Sequence, residues 1–138
     1  MTHGSQEKSI PELLRDSGLR PTRQRAALAE LLFAKGDRHL TAERLHEEAV
    51  GKNVPVSLAT VYNTLHQFTQ AGLLREVAVE GSKTYFDTNT SNHYHFFCER
   101  DGVLMDIPTQ SLTVDGLPEP PEGMEISRID VLVRLVEK

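Results

Sequence analysis

The sequence predicts an α+β protein, with an N-terminal winged helix-turn-helix domain followed by a small C-terminal α/β domain made mostly of strands. Two observations lead to this prediction. Four helix-like segments come first and precede two short β-rich runs, which is the element order of a winged helix-turn-helix. A polar stretch then leads to further short strands and a proline-rich connection. We therefore place the two domains at residues 1–88 and 89–138.

Residues that favour helix ends bound the four predicted helices. Gly18 ends the first, and Pro21 is tolerated in the first turn of the second. Thr41 and Ser57 are good N-caps for the third and fourth. The first ten residues are polar and have little apolar surface to bury, so we expect them to be weakly ordered. The predicted helices cover residues 10–17, 21–34, 42–50 and 58–72.

The fourth helix has the pattern of a recognition helix. Its apolar residues repeat at spacings of three and four, which turns a polar row outward: Thr60, Asn63, Thr64 and Gln67. Such a row suits a helix in the major groove, although every soluble amphipathic helix has one. Residues 73–79 and 83–87 form a predicted hairpin around residues 80–82. Lys83 in this hairpin suits a wing that contacts phosphate.

Charge is distributed unevenly along the chain. The net charge is −5; residues 1–88 hold 11 lysines and arginines against 11 acidic residues, whereas residues 89–138 hold 4 against 9. The whole deficit therefore lies in the C-terminal part. Within the neutral part, eleven residues contain Arg15, Arg20, Arg23 and Arg25, with only Asp16 opposing them. This basic patch is compatible with phosphate contact, and equally with a solvated helix face.

The C-terminal domain is predicted to contain three strands. Residues 94–98 and 103–107 flank a turn at residues 100–102, and residues 126–136 alternate apolar and polar side chains. Three short strands make a marginal domain. We therefore expect the final strand to pair with a second copy of the chain and form a homodimer.

Several function classes are disfavoured. No apolar run is long enough for a membrane span and the N-terminus lacks the pattern of a secretory signal, so we expect a cytoplasmic protein with no membrane partner. Fingerprints of hydrolases, metalloproteases and nucleotide-binding enzymes are missing, so we do not expect an enzyme. Cys98 is the single cysteine, which excludes an intrachain disulfide and a CxxC zinc site. Its apolar surroundings suggest a buried, inert thiol.

A His-rich segment is the candidate sensor. His93 and His95 lie two residues apart, on one face of an extended strand, where both can ligate one metal ion or approach one haem. Asp87 ends the predicted wing and His39 precedes the third helix. Histidine and carboxylate ligands together suit Fe²⁺, Mn²⁺ or Zn²⁺. The alternative is that both histidines are loop-edge residues without a ligand.

These residues resemble the ferric uptake regulator family over nearly the whole chain, from Leu13 to Leu135. Within it the chain is most similar to the iron response regulator branch. The family resemblance is carried by residues 18–25 (GLRPTRQR), 40–43 (LTAE) and 57–62 (SLATVY), and the branch resemblance by residues 82–89 (SKTYFDTN), 93–97 (HYHFF) and 117–126 (LPEPPEGMEI).

The resemblance implies a homodimeric repressor or activator on an A·T-rich inverted-repeat operator in double-stranded DNA. Tyr62 would contact a base or its methyl group, and Arg20 would enter the flanking minor groove. Asn63 stands where many members have arginine. The DNA-binding residues implied in this way are Arg20, Arg23, Arg25, Ser57, Thr60, Tyr62, Asn63 and Lys83. His39, Asp87, His93 and His95 match the regulatory metal site between the two domains, with aspartate where glutamate is usual.

Departures from the family pattern reduce the number of candidate sensing sites. Cys98 has Asp101 at its partner position and the second cysteine pair is missing, so we expect no structural zinc held by four cysteines. Tyr94 and Ile129 occupy positions of a second metal site. The iron response regulator branch implies a haem response, and because the chain lacks a Cys-Pro haem motif, haem would have to use His93 or His95.

Three hypotheses follow. The first is a transcription regulator of iron and haem homeostasis whose DNA binding is modulated by haem at His93 and His95. The second is a repressor activated by Fe²⁺ or Mn²⁺ at His39, Asp87, His93 and His95. The third is a metal-handling protein whose winged-helix fold no longer binds DNA.

Overall fold

The computed structural model describes residues 8–79, 83–108 and 110–138. The chain divides into two compact units, Met1–Thr90 and Ser91–Lys138. The first unit is helical with a small sheet and the second is a sheet with long irregular segments, so the predicted α+β fold class is confirmed. Among the described residues, no helix is both long and apolar enough to cross a bilayer. The expectation of weak order covered the first ten residues, of which residues 1–7 lie outside the described part. For Ser9 and Ile10 it is wrong, because Ser9 caps the first helix through a capping box with Glu12 and Ile10 begins that helix.

In the first unit, the described elements follow the predicted order. The helices are α1 (Ile10–Asp16), α2 (Arg23–Phe33), α3 (Ala42–Gly51) and α4 (Leu58–Gln70), and the strands are β1 (His39–Leu40), β2 (Arg75–Val79) and β3 (Lys83–Asp87). The sheet order is β1-β3-β2, antiparallel throughout. The predicted hairpin is present as β2 and β3, while its connection at residues 80–82 lies outside the described residues. Periodicity does not predict strand β1, because two residues are too short for a periodic signal.

Side-chain oxygens cap all four helices. Thr41 accepts a hydrogen bond from the Arg44 amide and Ser57 accepts one from the Thr60 amide, so both predicted N-caps are confirmed. Thr22 caps α2, which means that Pro21 lies before the cap and not in the first turn as predicted. The reason is that the Thr22 hydroxyl satisfies an amide at the helix start, and the cap residue itself must be extended.

The core of the first unit is assembled from all four helices and the sheet. The outward orientation predicted for Thr64 is wrong, because Thr64 is only 5% exposed. Thr64 lies three residues after Val61 and four before Phe68, both fully buried, so it shares their face of α4. The buried cluster consists of Leu14, Leu28, Ala29, Leu32, Leu40, Ala42, Leu45, Ala49, Val61, Leu65, Phe68, Leu74 and Phe86.

Arg38 joins α2 and α3 to the residues beside β1 and β3. Its guanidinium donates to both carboxylate oxygens of Glu48 in α3, at 2.9 and 2.6 Å, and to the Leu31 carbonyl of α2 at 3.0 Å. Its backbone amide donates to Thr88 Oγ1 at 2.8 Å, and its carbonyl accepts from the Thr88 amide at 3.1 Å. Arg38 immediately precedes β1 and Thr88 immediately follows β3. The bonds between them therefore hold the start of β1 against the end of β3.

The second unit is a three-stranded sheet with the order β5-β4-β6. Strands β4 (Tyr94–Cys98) and β5 (Val103–Ile107) form the predicted antiparallel hairpin, and β6 (Leu132–Leu135) runs parallel to β4. The predicted final strand at residues 126–136 is therefore too long. Because β6 begins where Leu132 pairs with His95 of β4, the residues before it have little of β4 left to pair with. Ile126 in that segment is 48% exposed.

Cys98 is less buried than predicted. Its side chain is only partly covered, and its thiol donates to Asp101 Oδ2 at 3.6 Å. The reason is its position as the last residue of β4, beside the turn that leads into β5.

The Arg38–Glu48 pair predicts a pH dependence of stability. Hydrogen bonds from Arg38 hold the pKa of Glu48 below its ordinary value of 4.5. A carboxylate whose folded-state pKa is depressed stabilises the fold above its unfolded pKa, and this contribution is lost as the pH falls through the folded pKa. We expect Glu48→Gln to lower the unfolding free energy at pH 7 by about 2 kcal/mol. Unfolding followed by circular dichroism at 222 nm will measure this loss.

Glu47→Gln is the matched control, because Glu47 is exposed and lies 3.8 Å from Arg44. It should change stability by less than about 0.5 kcal/mol. The difference between wild type and Glu48→Gln should shrink as the pH is lowered from 5 to 3. Equal losses for both variants at pH 7 would contradict the structural role of the pair.

Candidate metal centre and nucleic-acid interface

Three side chains of the second unit converge at one end of its sheet. His93 Nε2 lies 3.2 Å from Asp106 Oδ1, and His95 Nε2 lies 3.5 Å from the same oxygen. The two imidazole rings are 4.5 Å apart between centroids, at an angle of 61°. Both histidines are buried, with exposures of 4% and 2%. The predicted convergence of the two imidazoles is present, and a carboxylate joins them.

Sequence reasoning missed Asp106, although strand pairing contained the signal. In the antiparallel β4–β5 hairpin, His95 is the register partner of Asp106. Directly opposed residues of an antiparallel pair project from the same face. His93 lies two residues before His95 and therefore shares that face. The predicted strands and turn already imply this pairing, which places 95 opposite 106.

A backbone contact orients His93. Its Nδ1 lies 2.7 Å from the Ser91 carbonyl oxygen. Because a carbonyl can only accept, Nδ1 carries the proton and donates it. In the neutral ring this leaves the lone pair on Nε2, the atom that faces Asp106. A histidine whose second nitrogen is hydrogen-bonded to a carbonyl is typical of metal ligation.

The first unit holds the other two predicted ligands. His39 of β1 and Asp87 of β3 are register partners, and His39 Nε2 lies 3.2 Å from Asp87 Oδ2. The Asp87 side chain is 1% exposed, and its Oδ1 accepts a hydrogen bond from the Asn89 amide at 2.8 Å. Strand pairing thus brings together two ligands that are distant in the sequence.

The chemistry of these donors fits a first-row divalent ion. All are imidazole nitrogens or carboxylate oxygens, a set that suits Fe²⁺, Mn²⁺ or Zn²⁺. In the second unit alone, one ligand atom from each of His93, His95 and Asp106 lies within 4.8 Å of the others. One ion could therefore contact all three after small side-chain adjustments.

The residues implied as DNA contacts lie in the first unit, and the structure gives several of them intramolecular partners. Ser57 Oγ donates to Thr60 Oγ1 at 3.0 Å and accepts the Thr60 amide at 3.1 Å, so both hydroxyls take part in the N-cap of α4. Asn63 and Lys83 are exposed. Tyr62 is partly buried and its hydroxyl donates to Glu43 Oε2 of α3 at 2.7 Å.

The arginine cluster contains both exposed and hydrogen-bonded side chains. Arg20 and Arg23 are exposed. Arg25 donates to Gln67 Oε1 of α4 at 3.3 and 3.2 Å, and to the Arg20 carbonyl at 2.9 Å. Arg25 therefore fixes the segment before α2 against α4, in addition to carrying positive charge.

The tyrosine–glutamate contact perturbs both groups. The hydrogen bond from Tyr62 lowers the pKa of Glu43, as do its own backbone amide and the positive charge of Lys83. The same hydrogen bond raises the pKa of Tyr62. At neutral pH the carboxyl is therefore ionised and the phenol protonated, which defines the phenol as the donor.

Known proteins are similar to this chain in sequence and fold. The peroxide operon regulator of Bacillus subtilis is 36% identical over 121 residues, 87% of this chain and 83% of that protein. The peroxide-responsive repressor PerR of Staphylococcus epidermidis is 38% identical over 100 residues, 72% of this chain, and the match spans 65% of its length. The ferric uptake regulator of Vibrio cholerae superposes with a TM-score of 0.71 and 25% identity, covering 91% of this chain and 98% of that one.

These relatives bear on the predicted branch. The names of the Bacillus and Staphylococcus relatives refer to peroxide and not to haem, so the narrower assignment to the iron response regulator branch is not supported. The broader assignment is confirmed, because the ferric uptake regulator family matches residues 16–131, most of the chain. The chain belongs to the ferric uptake regulator family of transcription regulators.

Proposed function

We propose that this protein is a cytoplasmic, dimeric DNA-binding regulator whose operator affinity is controlled by Fe²⁺ or Mn²⁺. The single observation that carries this proposal is the convergence of His93, His95 and Asp106 on one point with only nitrogen and oxygen donors. This is the second of the three hypotheses drawn from the sequence, with Asp106 added as a ligand. DNA, a second copy of the chain and a divalent ion are the implied partners.

The proposed site combines the three donors of the second unit with His39 and Asp87 of the first. Neither set alone supplies the five or six donors that Fe²⁺ and Mn²⁺ commonly take. Asp87 and His93 are six residues apart in the chain, so the backbone between them spans at most about 20 Å. A single ion could recruit both sets at the ends of this short connection.

Such a site would couple metal occupancy to DNA binding. An ion that ligates residues on both sides of residues 88–92 favours the domain orientation in which all ligands meet. DNA that prefers the same orientation binds more tightly when the ion is present, and by linkage the ion binds more tightly to the DNA complex. The residues proposed to meet DNA are Arg20, Arg23, Ser57, Thr60, Tyr62, Asn63 and Lys83, with Arg25 in a supporting position.

We further propose that Fe²⁺ makes the regulator peroxide-responsive. The names of the Bacillus and Staphylococcus relatives support this response. When bound, Fe²⁺ would supply a reductant for peroxide, whereas Mn²⁺ is not readily oxidised by it. The chain's own contribution would be to hold the ion among imidazoles and carboxylates, of which those of Asp87, His93 and His95 are buried, so that any oxidation there changes the ligand set that couples the domains.

The metal site is tested by Asp106→Asn, which removes a charged ligand and keeps the side-chain size. Loss of a residue that only supports a ligand lowers metal affinity about 10- to 100-fold, so for this proposed direct ligand we expect the Mn²⁺ affinity to fall at least about 10-fold and metal-dependent operator binding to weaken in parallel. Equilibrium dialysis and gel-shift titrations at fixed salt will measure the two effects. Asp101→Asn is the control, since Asp101 is an exposed carboxylate on the same hairpin. Unchanged Mn²⁺ affinity in Asp106→Asn would remove Asp106 from the site.

Peroxide sensing is tested with the Fe²⁺- and Mn²⁺-loaded proteins side by side. We expect hydrogen peroxide to release the Fe²⁺ form from its operator and to leave the Mn²⁺ form bound. Cys98→Ser is the control, because a thiol is the other common peroxide target. Release that is independent of the metal but lost in Cys98→Ser would assign the response to the thiol. Release by haem alone, lost in the His93→Ala and His95→Ala double variant, would restore the haem hypothesis.

A further inference from the structure

Glu43 lies beside the tyrosine that the proposed function places against the bases. Tyr62 Oη donates to Glu43 Oε2 at 2.7 Å, which joins the recognition helix α4 to the first turn of α3. A phenol has one proton to donate. Because this proton is engaged in the hydrogen bond to the carboxylate, Tyr62 presents to other partners an apolar ring and an oxygen that can only accept.

The direction of this hydrogen bond is fixed by charge. Lys83 and the backbone amide of Glu43 add to the effect of Tyr62 in holding the pKa of the carboxyl below its ordinary value. The pKa of the phenol is raised. An ionised carboxylate has no proton to return, so Tyr62 cannot become the acceptor in this pair.

The ring of Tyr62 is supported from the core of the first unit. It stacks on His66 of the same helix, with centroids 6.5 Å apart and an angle of 20°. The His66 ring meets Phe86 of β3 edge-on at 5.8 Å, and Phe86 is fully buried. The ring position is thus set by packing, while Glu43 sets the direction of the hydroxyl proton.

We propose that Glu43 is a specificity-determining residue of the DNA interface, which directs Tyr62 toward thymine and adenine and away from guanine. This inference rests on the proposed function, in which Tyr62 contacts bases. In the major groove, adenine offers an amino donor and thymine a methyl group, whereas guanine offers only the acceptors N7 and O6. A phenol oxygen that can only accept allows the ring to pack on the thymine methyl group, or accepts a hydrogen bond from the adenine amino group. Against guanine, its lone pairs face those of N7 and O6, and no hydrogen bond forms.

The test is selection from duplexes with randomised base pairs, using the Mn²⁺-loaded wild type, Glu43→Ala, Tyr62→Phe and the double variant. At the position contacted by Tyr62, we expect wild type to disfavour guanine about tenfold, within the range of a single base contact. Glu43→Ala frees the phenol proton and should reduce this discrimination to less than about threefold. In the Tyr62→Phe background, Glu43→Ala should leave base preference unchanged.

Glu47→Ala is the matched control. Glu47 lies in the same helix and is exposed, and its carboxylate is 3.8 Å from Arg44. Both glutamate variants remove one negative charge near DNA, so both should tighten binding to all duplexes alike. Only Glu43→Ala should change base preference. An equal change in Glu47→Ala, or none in Glu43→Ala, would overturn the proposal.

A measurement without DNA separates this inference from the proposed function. Glu43→Ala should lower the pKa of the Tyr62 phenol, followed by its absorbance at 295 nm and assigned by subtracting the Tyr62→Phe titration. An unchanged phenol pKa shows that the hydrogen bond is missing in solution and overturns the inference alone. If the Mn²⁺-loaded wild type selects no sequence, the proposed function fails, and the specificity role fails with it.

Discussion

The antiparallel register of β3 is the constraint on which the first unit depends. It sets Asp87 opposite His39 of β1 and leaves the preceding residue, Phe86, in the core. Side chains alternate between the faces of a strand, so a slip of one residue would exchange the ligand for the core residue. Phe86 also supports His66, which supports Tyr62. The same strand therefore positions a proposed metal ligand on one side and the ring proposed to contact bases on the other.

The spacing of apolar residues, together with the residues that favour helix ends and turns, is enough to predict the helices, the two hairpins and the caps at Thr41 and Ser57. The failures have physical causes. A two-residue strand such as β1 exists through its pairing with β3 and has no pattern of its own. Residue type places Thr64 outward, although its spacing matches the buried row of α4. The length of the final strand depends on which residues of β4 are available to pair with it. The alternation of apolar and polar residues within the final strand carries no information about this partner.

The candidate metal ligands also divide into those that the sequence predicts and one that it does not. Spacing and resemblance predict four of them, since His93 and His95 share a face and Asp87 ends a strand. Asp106 requires the pairing of two strands to be considered together, because nothing next to it in the sequence is a ligand. This fifth candidate ligand matters for the choice of the proposed effector. Two imidazoles alone are compatible with haem, whereas two imidazoles with a carboxylate 3.2 and 3.5 Å away form a set for a bare divalent ion.

The hydrogen bonds of Arg38 have a consequence for how quickly an ion could be captured. Through Arg38 and Thr88, the backbone on both sides of the His39–Asp87 pair is tied to α2 and α3. Two donors are therefore in position before any ion arrives, and little conformational entropy is lost in ordering them. An ion that binds at this pair would meet donors that are already held in place. Under the proposed function, the time needed to order these two donors would therefore not limit the rate at which an ion is captured.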